Sequence, residues 1–166
     1  SLYGITVMYD NPHQMAFQPL FLEGKLPFNP GWFDKPPFHC YFNYFLSVLA
    51  ISNLAKAFDF SMQTEEILKT VWSRLLTKFM LLTAIGLLYH ISLKSYGVRS
   101  AQVIAWIAAT TAGFIAYSHF LTVDIPVMFW MLVAFTFSHQ ILFERKLSSY
   151  LLAGFFTGIA AATKYN

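Results

Sequence analysis

From Ser100 to Val123 the chain carries no Asp, Glu, Lys or Arg, and the same holds from Ile125 to Phe143 and from Leu147 to Thr163. Each run suits a helix of roughly 17–25 residues, the length that crosses the hydrocarbon core of a bilayer. Backbone amides find no water in that core, so only helices or closed barrels satisfy their hydrogen bonds there. Barrel strands alternate apolar and polar residues, and these runs do not. The sequence therefore reads as an all-α integral membrane protein, a multi-span helical bundle.

Composition agrees with that reading: 57% of the 166 residues are hydrophobic and 11% are charged, and the mean hydropathy is +0.51. A net charge of +3 and a pI near 9.0 raise the question of nucleic acid. The eleven basic residues are scattered between apolar runs and form no basic stripe, which argues against that partner. They read as topology signals. Cys40 is the single cysteine, so no internal disulfide is possible.

Four spans are expected, at about Leu75–Ser92, Ala101–Tyr117, Ile125–Phe143 and Tyr150–Thr163, within residues 71–166. Lys94 and Arg99 fall in one loop, and Arg145 and Lys146 in the next but one. Short loops rich in Lys and Arg stay on the cytoplasmic side, which sends Asp124 and Lys164 to the outer side. Residues 1–9 read as the outer end of a preceding transmembrane helix that starts before Ser1. Residues 10–70 then form an outer loop with juxtamembrane helices.

Within that loop, Phe38–Lys56 is long enough to be mistaken for a span. His39, Asn43 and Ser47 recur every fourth residue, however, while Tyr41, Phe42, Phe45, Leu46 and Leu49 cover the rest. That pattern predicts an amphipathic helix lying in the interface. In "SMQTEEILKTVW", Thr64 is the expected N-cap, with Glu65 and Glu66 in the first turn and Lys69 within reach of them. Gly154 and Gly158 form a GxxxG pair, and Ala101, Ala105, Ala108, Ala109 and Ala112 offer small surfaces, all expected to serve close helix contact.

This topology gathers Asp10, Asp34, Lys35, Asp124 and Lys164 on one side of the membrane. Taken singly, Asp10 before Asn-Pro and Asp124 before Ile-Pro are ordinary helix caps. In "FDKPPF", Pro36 and Pro37 hold the preceding residues extended, presenting Asp34 and Lys35 at the mouth of the following helix. His90, His119 and His139 lie in or at the ends of expected spans without paired spacing. No His, Cys or carboxylate cluster has metal-ligand spacing, so no metal and no cofactor is expected.

The order of "YDNPHQMA", "EGKLPFNPGWFDKPPF", "YSHFLTVDIPVMFW" and "GIAAATKYN" resembles the N-terminal part of GT-C glycosyltransferases that use a lipid-linked sugar. It is similar to the protein mannosyltransferases of glycosyltransferase family 39 and to the aminoarabinose transferases of lipid A. The resemblance implies a GT-C-like bundle that takes a sugar from a polyprenyl phosphate and passes it to an acceptor on the outer face. It also implies a plasma membrane setting, in bacteria the inner membrane with the site toward the periplasm.

By the same resemblance Asp10 is the catalytic aspartate after the first span, although Asn11 stands where the family often has Glu. Asp34, Lys35, Asp124 and Lys164 take the substrate-binding positions, with Lys35 toward the lipid phosphate. The chemistry suits them: a positioned carboxylate deprotonates the acceptor hydroxyl, and cations neutralise the departing phosphate. The partners implied are the lipid-linked sugar and membrane lipids. The alternative is a non-catalytic, transferase-like subunit packed against other membrane subunits.

Overall fold

A computed structural model describes residues 38–43, 45–46, 49–119 and 122–164, and every regular element among them is helical. They are α1 (Phe38–Asn43), α2 (Leu49–Phe58), α3 (Met62–Tyr96), α4 (Val98–Thr110), α5 (Ala112–His119), α6 (Asp124–Glu144) and α7 (Leu147–Thr163). The protein is an all-α membrane protein. By length and apolarity α3 and α6 each suffice to cross a bilayer, and α4 with α5 makes a third if the pair is one span; α7 is shorter.

Within the expected amphipathic stretch after Pro37, α1 and α2 are described, and Ser47 of the expected polar stripe lies outside the described residues. At the end of α2, Asp59 turns left-handed with φ 51°, and the Phe60 amide returns to the Ala55 carbonyl at 3.0 Å. This is a Schellman closure with Asp59 where glycine is more usual, and it turns the chain into α3.

Ser61, not Thr64, caps α3: its side chain accepts from the Thr64 amide at 3.3 Å. The serine is already extended at ψ 151°, so the helix starts one turn earlier than expected. Glu65 and Lys69 form the expected ion pair one turn apart. Thirty-five residues make α3 roughly 50 Å long at 1.5 Å per residue, more than a ~30 Å hydrocarbon core holds.

The excess length projects at one end, as two contacts establish. Leu81 shares a core cluster with Ile125 near the start of α6, and Ser95 Oγ meets His139 Nε2 at 2.8 Å near the end of α6. Helices α3 and α6 thus run side by side in the same direction. The first turns of α3 extend past the start of α6.

Gly97 carries the chain from α3 to α4 at φ 83°, ψ 177°, a conformation open essentially to glycine alone. The buried Ala101 and Ala108 then let α4 pack against α3. The expected straight span 101–117 is broken at Thr111, where α4 and α5 meet at 50°. Thr110 Oγ1 donates to the Trp106 carbonyl at 2.8 Å and Thr111 Oγ1 to that of Ile107 at 2.7 Å. The Thr111 backbone turns extended at ψ 115°, its amide reaches the Ala108 carbonyl at 3.4 Å, and the helical ladder is interrupted there.

A two-residue turn, with Arg145 left-handed at φ 46°, folds α7 back along α6, the most closely packed pair of helices. Ala134, Thr136, Ala153 and Ala160 are buried. Gly154 and Gly158 are exposed, and a Cβ at either would meet nothing within 4 Å. The GxxxG pair therefore does not make the α6–α7 contact; the alanines on the opposite face do. Large apolar side chains point outward, with Leu82, Trp106 and Leu142 each about 70% exposed, as a lipid-facing surface requires. Interior hydroxyls such as Thr77, Thr136 and Thr163 bond to carbonyls four residues back, so they bring few unpaired polar groups into the bundle.

Candidate functional site

The hairpin of α6 and α7 returns the end of α7 to the start of α6. There Lys164 Nζ donates to Asp124 Oδ1 at 2.8 Å, across 40 residues of sequence. Asp124 is the first residue of α6 rather than its cap, which is Val123, and its carboxylate reaches across to the neighbouring helix end. Pro126 falls in the first turn, where its missing amide hydrogen costs no helical bond. Lys164 is extended at φ −157°, its amide bonded back to the Ala160 carbonyl.

Both charges sit where helix dipoles favour them, an anion at an N-terminus and a cation at a C-terminus. The side chains are 38% and 27% exposed, so the pair adds less than about 1 kcal/mol to folding. The contact orients two partly exposed charged groups toward each other.

Helix α1 docks beside this end. Phe38 and Phe42 meet the Trp130 ring edge-on at 6.1 and 5.5 Å. Trp130 stacks on Phe156 of α7 at 5.8 Å, and Phe156 stacks on Phe137 at 5.6 Å. Rings from three helices make one continuous column, and edge-on or stacked pairs add about 0.5–1.5 kcal/mol each beyond burial.

Three polar atoms around this junction are shut off from solvent without a hydrogen bond: His39 Nδ1, Thr122 Oγ1 and Trp130 Nε1. Burial pushes the His39 imidazole down to about 4, so it is neutral at pH 7. Unmet, each such group costs about 1–3 kcal/mol. They are the spare hydrogen-bonding capacity at the Asp124 end. Trp130 and Thr122 carried no sequence signal beyond lying within "YSHFLTVDIPVMFW".

Of the expected site residues, Asp124 and Lys164 are brought together. Asp10, Asp34 and Lys35 lie outside the described residues. Among the described residues, no group of three His, Cys, Asp or Glu side chains is arranged to hold a metal.

A family model described as dolichyl-phosphate-mannose-protein mannosyltransferase matches residues 66–166. That is more than half of the chain. The protein belongs to this mannosyltransferase family. Membership places it among membrane glycosyltransferases of the GT-C type. The match takes in most of α3 and all of α4 to α7, the Asp124–Lys164 pair included, while Asp10, Asp34 and Lys35 precede it. No curated protein and no solved structure matches the chain.

Proposed function

We propose that this mannosyltransferase-family protein moves a sugar from a polyprenyl phosphate to a hydroxyl acceptor at the Asp124 end of the bundle. The observation that carries the reading is the Asp124–Lys164 contact, which lies inside the region shared with the family. Asp10 takes the proton of the acceptor hydroxyl as its oxygen attacks the anomeric carbon. The bond from that carbon to the phosphate oxygen breaks, and the lipid phosphate leaves with the electron pair.

The second pKa of a phosphate monoester is about 6, so this group departs without a strong acid once its charge is met. Lys164, held by Asp124, and Lys35 with its neighbour Asp34 meet it. The polyprenyl tail remains in the bilayer along the aromatic column. In this proposal the site faces outward from the plasma membrane, in bacteria toward the periplasm.

The test is transfer of labelled sugar from a polyprenyl phosphate donor in nanodiscs. Loss of a general base lowers a rate by about 10²–10⁴, so Asp10→Asn is expected in that range. Lys35→Ala and Lys164→Ala lower it by weakening phosphate neutralisation. Equal transfer by the parent and all three variants overturns the assignment. Parent protein that shows no transfer but copurifies with a membrane complex in fixed stoichiometry supports the subunit reading instead.

A further inference from the structure

At the opposite end, the α3–α4 and α6–α7 turns bring Lys94, Arg99, Arg145 and Lys146 together, all exposed. The Ser95–His139 hydrogen bond joins the two helix ends. Lys94 is close enough to Glu144 to act on it electrostatically. Glu144 pairs with Lys146 at 2.8 Å, and this bond, then its charge, hold the Lys146 ammonium above its ordinary range. One carboxylate set against four cations leaves a formal surplus of three positive charges.

The helix dipoles favour two of these cations, Lys94 in the last turn of α3 and Arg145 at the C-cap of α6, but not the other two. Arg99 lies in the first turn of α4 and Lys146 immediately precedes α7. The dipole disfavours positive charge at both places, and neither first turn holds an acidic residue. Apolar and amphipathic side chains flank the cations: Tyr96, Leu142 and Leu147 are each over 70% exposed, and Phe143 and Tyr150 over half. A soluble anion would match only the charges. A lipid with an anionic head group and acyl chains matches both parts.

We propose that this end of the bundle is a binding surface for anionic phospholipid head groups, with Lys94, Arg99, Arg145 and Lys146 meeting the phosphate and the flanking side chains meeting the acyl chains. A basic residue near an anionic membrane surface contributes roughly a fivefold gain in association, and long basic side chains reach the head groups while their stems stay apolar. The surface rests on membrane residence and not on the transfer reaction, so it stands apart from the proposed site.

The test is native mass spectrometry of the protein released from nanodiscs of equal phosphatidylcholine and phosphatidylglycerol. The parent is expected to retain phosphatidylglycerol preferentially. Neutralising Lys94, Arg99, Arg145 and Lys146 to Gln removes the preference, and Lys146→Gln alone lowers it about fivefold. Lys56→Gln, at an exposed site on α2, leaves it unchanged. No preference in the parent overturns the proposal, as does a preference that Lys146→Gln leaves intact or Lys56→Gln lowers equally. Displacement of the lipid by inorganic phosphate overturns the lipid assignment.

Discussion

The two ends of the α6–α7 hairpin use charge in opposite ways. At one end Asp124 and Lys164 pair with each other and each complements its own helix dipole. At the other, Arg99 and Lys146 sit at helix N-termini that disfavour them, beside Lys94 and Arg145. The first end is internally satisfied in charge yet keeps unpaired polar atoms at His39, Thr122 and Trp130. The second is joined by the Ser95–His139 hydrogen bond and carries surplus charge. A directed polar ligand suits the first, a charged surface the second.

The largest structural effect is expected where the ring column joins α1 to the hairpin. Trp130→Ala removes four of its ring contacts and is expected to cost about 3 kcal/mol. Hydrogen exchange should show Phe38–Asn43 losing protection while the α3–α6 contact at the other end keeps it. Equal loss at both ends would break the distinction between them.

A smaller effect follows from His39. Its folded pKa of about 4 lies below the ordinary 6.5. Between those values the undocked state binds more protons, so stability falls as pH drops through that window. Release of α1 should follow the same window, read by Trp130 fluorescence in a protein whose other tryptophans are replaced by Phe. His39→Gln should flatten the profile; an unchanged profile contradicts the burial of this ring.

Much of this fold is legible in the charge-free runs, because a bilayer allows them no form but helix. That Asp124 and Lys164 share one side follows from loop alternation alone. Their direct contact needed the hairpin geometry. The break at Thr111 was not legible, since an extended backbone at one residue leaves hydropathy unchanged. The outward orientation of Gly154 and Gly158 was also hidden: glycine spacing reports that a close contact is possible, not which face of α7 makes one. Trp130 carries no sequence signal of its own, and its place in the ring column depends on α1 packing against it. Asp10, Asp34 and Lys35 rest on sequence alone.

At the Arg145 end, Ser95→Ala removes one hydrogen bond and is expected to cost about 1 kcal/mol, measured by unfolding in mixed detergent. A loss of transfer activity as large as that caused by changes at the Asp124 end would merge the two ends into one functional unit. The smallest effect is reserved for the exposed face of α7. Gly154→Ala, with open space for its Cβ, should stabilise by less than about 1 kcal/mol through helix propensity. Destabilisation would restore the close contact that its spacing first suggested.

The central claim is that sugar transfer belongs to the Asp124 end. Its most direct measurement is the rate of transfer from a polyprenyl phosphate sugar by two single variants in nanodiscs, Lys164→Met and Lys146→Gln, each compared with the parent. Loss of an electrostatic contact to the departing group predicts a fall on the order of 10²-fold or more for Lys164→Met, with Lys146→Gln retaining the parent rate. Full transfer by Lys164→Met, or an equal fall in both variants, contradicts the account.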